Sequence, residues 1–229
     1  MPVSGLMTMQ QRNTPKDMKK VYKNIFGETV SKAAAEQLNE YHLYYYLKDS
    51  GLLKQIDFVS DDEIYNINYF LDEEDENEVF NDLKEKSNFF DIEKKETFDD
   101  FIITTNKLYS LTVDEEPLIS KSIFTTKDPE NFICSQVIDN ETLEPVLDRT
   151  TKCWYTNDEN GEKYAAIEFS YQEDGKLELA IDKTPNREDD QEWEYYDYGT
   201  FQNLQKKFEE DISYYKTAAM LPKKASKNS

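Results

Sequence analysis

Two dipeptides constrain this chain more than anything else in it. Asn160-Gly161 and Asp174-Gly175 are the pairs that tight hairpin turns favour, and the residues between and after them alternate in polarity. Ala165, Ile167, Phe169 and Tyr171 share one face, and Leu177, Leu179 and Ile181 repeat the period after the second turn. A period of two with one apolar face describes an antiparallel sheet that is dry on one side and wet on the other. Residues 151–156, 163–171 and 176–183 therefore read as a three-stranded meander. Upstream, 101–105, 108–113, 119–124 and 132–138 are rich in β-branched and aromatic residues and extend the strand pattern.

The two ends read differently. Residues 15–26 predict a helix capped by Thr14, with Pro15 and Asp17 in its first turn and Gly27 as its stop. Met18, Val21, Tyr22 and Ile25 form its stripe. A second helix is predicted over 29–49, from Thr29 to Ser50-Gly51, with Val30, Ala34, Leu38, Tyr41 and Tyr45 on one side. The short break between them makes an αα-hairpin. Residues 52–59 read as a strand, 64–71 as strand or helix, and 72–88 as a helix with Val79, Phe80 and Leu83 inward. Thr200 caps a last predicted helix over 200–219, with Phe201, Leu204, Phe208, Ile212 and Tyr215 buried and Pro222 after its end. The expected fold is α+β: an N-terminal helical hairpin, a central antiparallel sheet with a β-meander, and a C-terminal helix. The expected organisation is a disordered lead-in over 1–13, a helical, acidic region over 14–97, the sheet and last helix over 98–221, and a basic tail over 222–229. No flexible linker marks the boundary near 90–100, so the alternative is that 14–97 and 98–221 form one domain.

Charge narrows the function. The 229 residues carry 48 acids against 27 bases, a net charge of −21. Such an excess can keep a chain unfolded, but 16 Tyr, 13 Phe and 2 Trp supply enough apolar area for a core. Residues 61–100 hold 4 bases against 16 acids, and residues 157–200 hold 4 against 14. A folded surface of this sign repels nucleic acid and anionic lipid and attracts a basic partner. No apolar run reaches the roughly 18 residues of a membrane span, and no N-terminal segment has the pattern of a secretory signal. Cys134 and Cys153 read as reduced thiols in strands, so the cytoplasm is the expected compartment.

Catalytic patterns are sparse. His42 is the single histidine and sits in the aromatic run 41–46, where a packing role outweighs that of a base or ligand. The chain contains no HExxH, CxxC, GxGxxG or Walker loop, and its 6 Gly leave little for a phosphate cradle. Aligning Gly161 with the glycine of a calcium loop puts Thr156 first and Ile167 last, both wrong for calcium. The lysines of the N-terminal hairpin, Lys16, Lys19, Lys20 and Lys23, raise a DNA-binding helix-turn-helix, which the aromatic 41–47 stretch opposes. No cofactor is expected.

The acidic runs are the most specific signal. Asp72, Glu73, Glu74, Asp75, Glu76 and Glu78 form one. Glu188, Asp189, Asp190, Glu192, Trp193, Glu194 and Asp197 form the other, with aromatics interleaved. Any single run is most simply a solvated face. Together they fit a contact surface in which carboxylates imitate nucleic-acid phosphates and aromatics anchor the interface. The leading expectation is a non-enzymatic inhibitor or antagonist that binds a basic, nucleic-acid-handling protein, of the anti-defence, DNA-mimic or nuclease-immunity type. The Lys-, Asn-, Ile- and Tyr-rich vocabulary suits an AT-rich bacterial, plasmid or phage genome. The alternative is an assembly protein, a homo-oligomer or particle component. The third is an enzyme working through carboxylates or Mg²⁺.

Overall fold

The computed structural model describes residues 18–184 and 193–222, with the side chains of Asp114 and Glu115 excepted. It divides into two compact units, one ending at Phe90 and one starting at Asp91. Both are built on antiparallel sheet, with thirteen strands and three short α-helices among the described residues. This overturns the α+β expectation.

In the first unit the sheet order is β5 (Glu63–Leu71), β4 (Leu53–Ser60), β3 (Glu40–Leu47), β1 (Met18–Lys23) and β2 (Thr29–Val30). The N-terminal helical hairpin is absent from the described residues. Met18–Lys23 instead pairs with β3, from Met18 opposite Leu47 to Lys23 opposite His42. The physical reason lies in 41–47, where Tyr41, Tyr44, Tyr45 and Tyr46 favour a pleated surface, and strand pairing gives both segments backbone partners. One helical turn survives as α1 (Lys32–Ala35), capped by Ser31. Gly27, expected as a helix stop, sits at φ +81° in the turn between β1 and β2. Thr14, Pro15 and Asp17, the expected cap and first turn, and the 1–13 lead-in lie outside the described residues. Strands β4 and β5 are joined by Asp61 and Asp62, both at positive φ (51° and 65°), with Ser60 opposite Glu63. The predicted 72–88 helix contracts to α2 (Glu76–Leu83), which buries Val79 and Leu83.

The second unit is a sequential meander. Its strands are β6 (Phe89–Phe98, starting at the end of the first unit), β7 (Phe101–Ser110), β8 (Asp114–Thr125), β9 (Asp128–Ile138), β10 (Pro145–Asn157), β11 (Lys163–Tyr171), β12 (Leu177–Asp182) and β13 (Glu194–Asp197). One cross-strand row runs Ile103, Ile123, Cys134, Lys152, Phe169, Ala180, Tyr196. The adjacent row on the opposite face is a hydroxyl ladder: Thr104, Ser122, Ser135, Thr151, Ser170. The Asn160-Gly161 and Asp174-Gly175 turns connect β10 to β11 and β11 to β12, with the glycines at φ +84° and +76°.

The C-terminal helix is the second correction. Residues 200–219 contain only α3 (Phe201–Gln205) and a 3₁₀ turn at Ser213–Lys216. Between them the chain lies irregularly across the sheet. Phe201, Leu204, Ile212 and Ala218 join Phe169, Tyr171, Leu177 and Ala180 in the unit's core. Several of its carbonyls accept hydrogen bonds from sheet side chains rather than from amides one turn ahead, which removes the reason for a continuous helix. The basic tail from Lys223 onward lies outside the described residues.

Candidate functional site

The first unit carries an open groove of about 860 Å³ on the sheet face that α2 covers. Its floor is made by β4. On that strand Gln55, Asp57 and Val59 point to one side and are all buried. Asp57 stands in the row Leu43–Asp57–Ile67, and Gln55 in the row Tyr45–Gln55–Tyr69. A carboxylate in an otherwise apolar row must find donors or lose its charge. Asp57 is 1% exposed. It accepts from the Tyr45 hydroxyl at 2.7 Å and from the Gln55 amide at 2.5 Å. Burial, reinforced by the Asp57 bond, pushes the Tyr45 phenol well above its usual range.

A register shift between Tyr45 and Tyr46 leaves Lys54 as the extra residue of a bulge. Its ammonium, on a residue 2% exposed, reaches Glu74 at 2.6 Å and lies 5.4 Å from the Tyr69 ring centroid. Burial works against the charge on Glu74. The Lys54 ammonium and the amides of Asp72 and Glu74 outweigh it and hold the carboxyl below the usual carboxylate range. Burial, then the nearby Glu74 and Asp82, pushes the Tyr69 phenol up.

The helix wall adds more acid. Asp75 is the N-cap of α2 and accepts from the amides of Asn77 at 2.9 Å and Glu78 at 3.1 Å. The groove is thus lined by Asp57, Glu74, Asp75, Glu78 and Asp82, with Tyr45 and Tyr69 between them and Lys20 and Lys86 at its border. Lys86 is paired with Asp82 at 2.5 Å, and Lys20 lies 5.0 Å from the Tyr45 ring centroid.

The predicted contact residues separate into groups. Glu74, Asp75 and Glu78 line the groove, whereas Asp72, Glu73 and Glu76 do not. In the second unit, Trp193 is 53% exposed and faces Lys183, whose ammonium is 5.4 Å from the ring centroid and 2.7 Å from Glu168. Glu194 is bound by Lys207 and the Tyr196 hydroxyl. Asp197 accepts from the Thr200 amide and hydroxyl, each at 2.9 Å. Glu194 and Asp197 therefore brace the chain entering α3. Glu188, Asp189, Asp190 and Glu192 lie outside the described residues. The two acidic runs belong to different units.

Sequence reasoning missed Asp57 and Asp82. Asp57 had a signal: it shares a strand face with Val59 and so is a charge on the inward side. Asp82 had none. His42 packs edge-on against Phe58 with centroids 4.7 Å apart, and burial, against Glu40, lowers its pKa. Cys134 and Cys153 are free and buried. Among the described residues, no three His, Cys, Asp or Glu side chains converge as a metal site would require. No described helix is long and apolar enough to cross a membrane. Compared with known proteins, the chain matches no family model, no curated protein and no solved structure.

Proposed function

We propose that this chain is a non-enzymatic inhibitor or antagonist that acts in the cytoplasm. It binds a basic, nucleic-acid-handling protein, and the groove of the first unit takes up basic side chains of that partner. One observation carries the reading: Asp57, Glu74, Asp75, Glu78 and Asp82 line a single concavity together with Tyr45 and Tyr69. Carboxylates on rigid elements offer hydrogen-bond acceptors to guanidinium and ammonium groups, and tyrosine rings beside them offer faces to the same cations. The net charge of −21 adds long-range attraction that speeds encounter with a basic surface.

Affinity capture from host lysate tests this, with wild-type chain and a Glu78→Lys/Asp82→Lys variant immobilised side by side. A basic nucleic-acid enzyme retained by wild-type at low salt, and lost both at high salt and from the variant, is the expected result. Equal retention by the two chains overturns the reading.

One observation favours the assembly reading. Trp193, Tyr195 and Tyr198 are all more than two-fifths exposed about the short strand β13. Self-association that persists in high salt and is abolished by Trp193→Ala/Tyr195→Ala would support it.

A further inference from the structure

The second unit buries an amine that the groove chemistry does not use. Lys152, in the middle of β10, is 0% exposed. Its Nζ donates to the carbonyl of Tyr214 at 2.9 Å and to that of Thr217 at 2.8 Å. The Tyr214 ring centroid is 3.4 Å away and that of Tyr171 5.6 Å. Two neighbouring side chains act alike: the Tyr171 hydroxyl donates to the carbonyl of Tyr215 at 2.9 Å, and Gln136 Nε2 to that of Ala218 at 2.7 Å. Side chains of three strands thus hold four consecutive or near-consecutive carbonyls of one terminal segment.

We propose that residues 201–218 are a releasable strap over this sheet, closed by Lys152, and that release is coupled to uptake of a proton at the Lys152 amine. The titratable groups facing the amine are Cys134 from β9, Tyr171 from β11 and Tyr214 from the strap. The strap's nearest charged side chains are engaged elsewhere: Asp211 accepts from Ser213, Lys216 lies over Tyr198, and Glu210 accepts from Trp154. No carboxylate pairs with Lys152 among the described residues. A buried ammonium without a counter-ion is costly. A neutral amine keeps two N–H groups, enough for both carbonyls, so the strap stays latched when the proton leaves.

Burial pushes the Lys152 amine down to about 7. Released into water, it returns to roughly 10.4. Between these values the closed form carries a neutral amine and the open form an ammonium, so opening takes up a proton and is favoured by acid. Each unit of pH decrease raises the open population by up to about tenfold, until the effect levels off near pH 7. Release bares Phe169, Leu177 and Ala180, which are buried when the strap is closed.

Cys134 sits opposite Lys152 in the next strand and is fully buried, so it reports opening. The test is labelling of Cys134 by a thiol reagent in a Cys153→Ser chain between pH 7 and 9. Rates are divided by those of the urea-unfolded chain at the same pH, which removes the thiol's own ionisation. The expected protection rises by several-fold to tenfold per pH unit, with little dependence on low urea, and Lys152→Met flattens the pH dependence. Protection independent of pH, or a urea dependence equal to that of global unfolding, overturns the proposal. If Lys152→Met does not fold, NMR titration of the Lys152 side chain in the wild-type decides. A midpoint near 7 supports the proposal, and one above 9.5 overturns it.

Discussion

The hydroxyl of Tyr45 donates a 2.7 Å hydrogen bond to the carboxylate of Asp57, one strand away and buried at the base of an acidic groove. The bond satisfies a buried acceptor that stands between Leu43 and Ile67. Tyr45→Phe removes it, while the Gln55 amide still donates to that carboxylate. The expected cost is about 1–3 kcal/mol of unfolding free energy. Tyr65→Phe, on a half-exposed side chain, should change it by less than about 0.5 kcal/mol. Urea unfolding of both variants checks the difference.

Asp75 both lines the groove and caps α2, and two substitutions separate the roles. Asp75→Asn keeps an acceptor for the Asn77 and Glu78 amides and should hold stability nearly constant. Asp75→Ala loses the cap and should cost about 1 kcal/mol. Thermal unfolding of the pair is the measurement.

Glu74 sets a pH dependence. Its carboxyl is held below the usual range by Lys54 and two amides, against the effect of burial. A depressed folded-state pKa gives stability that is complete above the ordinary Glu value of roughly 4.3 and fades as pH falls through the folded value. Glu74→Gln should remove that part of the acid limb. At neutral pH it also leaves the buried Lys54 ammonium without its carboxylate, at a cost of about 3–5 kcal/mol. Unfolding curves from pH 3 to 7 test both effects.

The two hairpin glycines should differ. Both have φ that L side chains avoid, but a Cβ on Gly175 would lie 3.1 Å from Leu147 Cδ1, whereas one on Gly161 meets nothing within 4 Å. Gly161→Ala should cost about 1–2 kcal/mol from backbone strain alone. Gly175→Ala should cost more, because Leu147 must also move. Denaturant midpoints of the two variants rank them.

The meander was legible because its signals are local. Asn160-Gly161, Asp174-Gly175 and the alternation from Ala165 to Tyr171 report turn and face without reference to distant chain. The ends were not. Tyr41 and Tyr45 fit a helical stripe as well as a strand, and what decides is pairing of β3 with Met18–Lys23 on one side and β4 on the other. In 201–215 the spacing of Phe201, Leu204, Phe208, Ile212 and Tyr215 imitates a helix, yet at its far end the carbonyls of Tyr214, Tyr215, Thr217 and Ala218 are taken by Lys152, Tyr171 and Gln136 from strands far earlier in the sequence. The acidic run 72–78 was visible, but its division into a cap, an ion pair with a buried lysine and residues outside the groove depends on α2 and Lys54. Asp57 joined the site through a strand face rather than through any charge run.

The groove's proposed role is to receive basic side chains of a partner. The most direct measurement is an NMR titration of the isotopically labelled chain with an arginine-rich peptide at low and high salt, using wild-type and Glu78→Lys/Asp82→Lys. Salt-sensitive shifts concentrated at Gln55, Asp57, Tyr69 and Glu78, lost in the double variant, are the predicted result. Shifts spread over acidic surface elsewhere, with the double variant behaving as wild-type does, would contradict it.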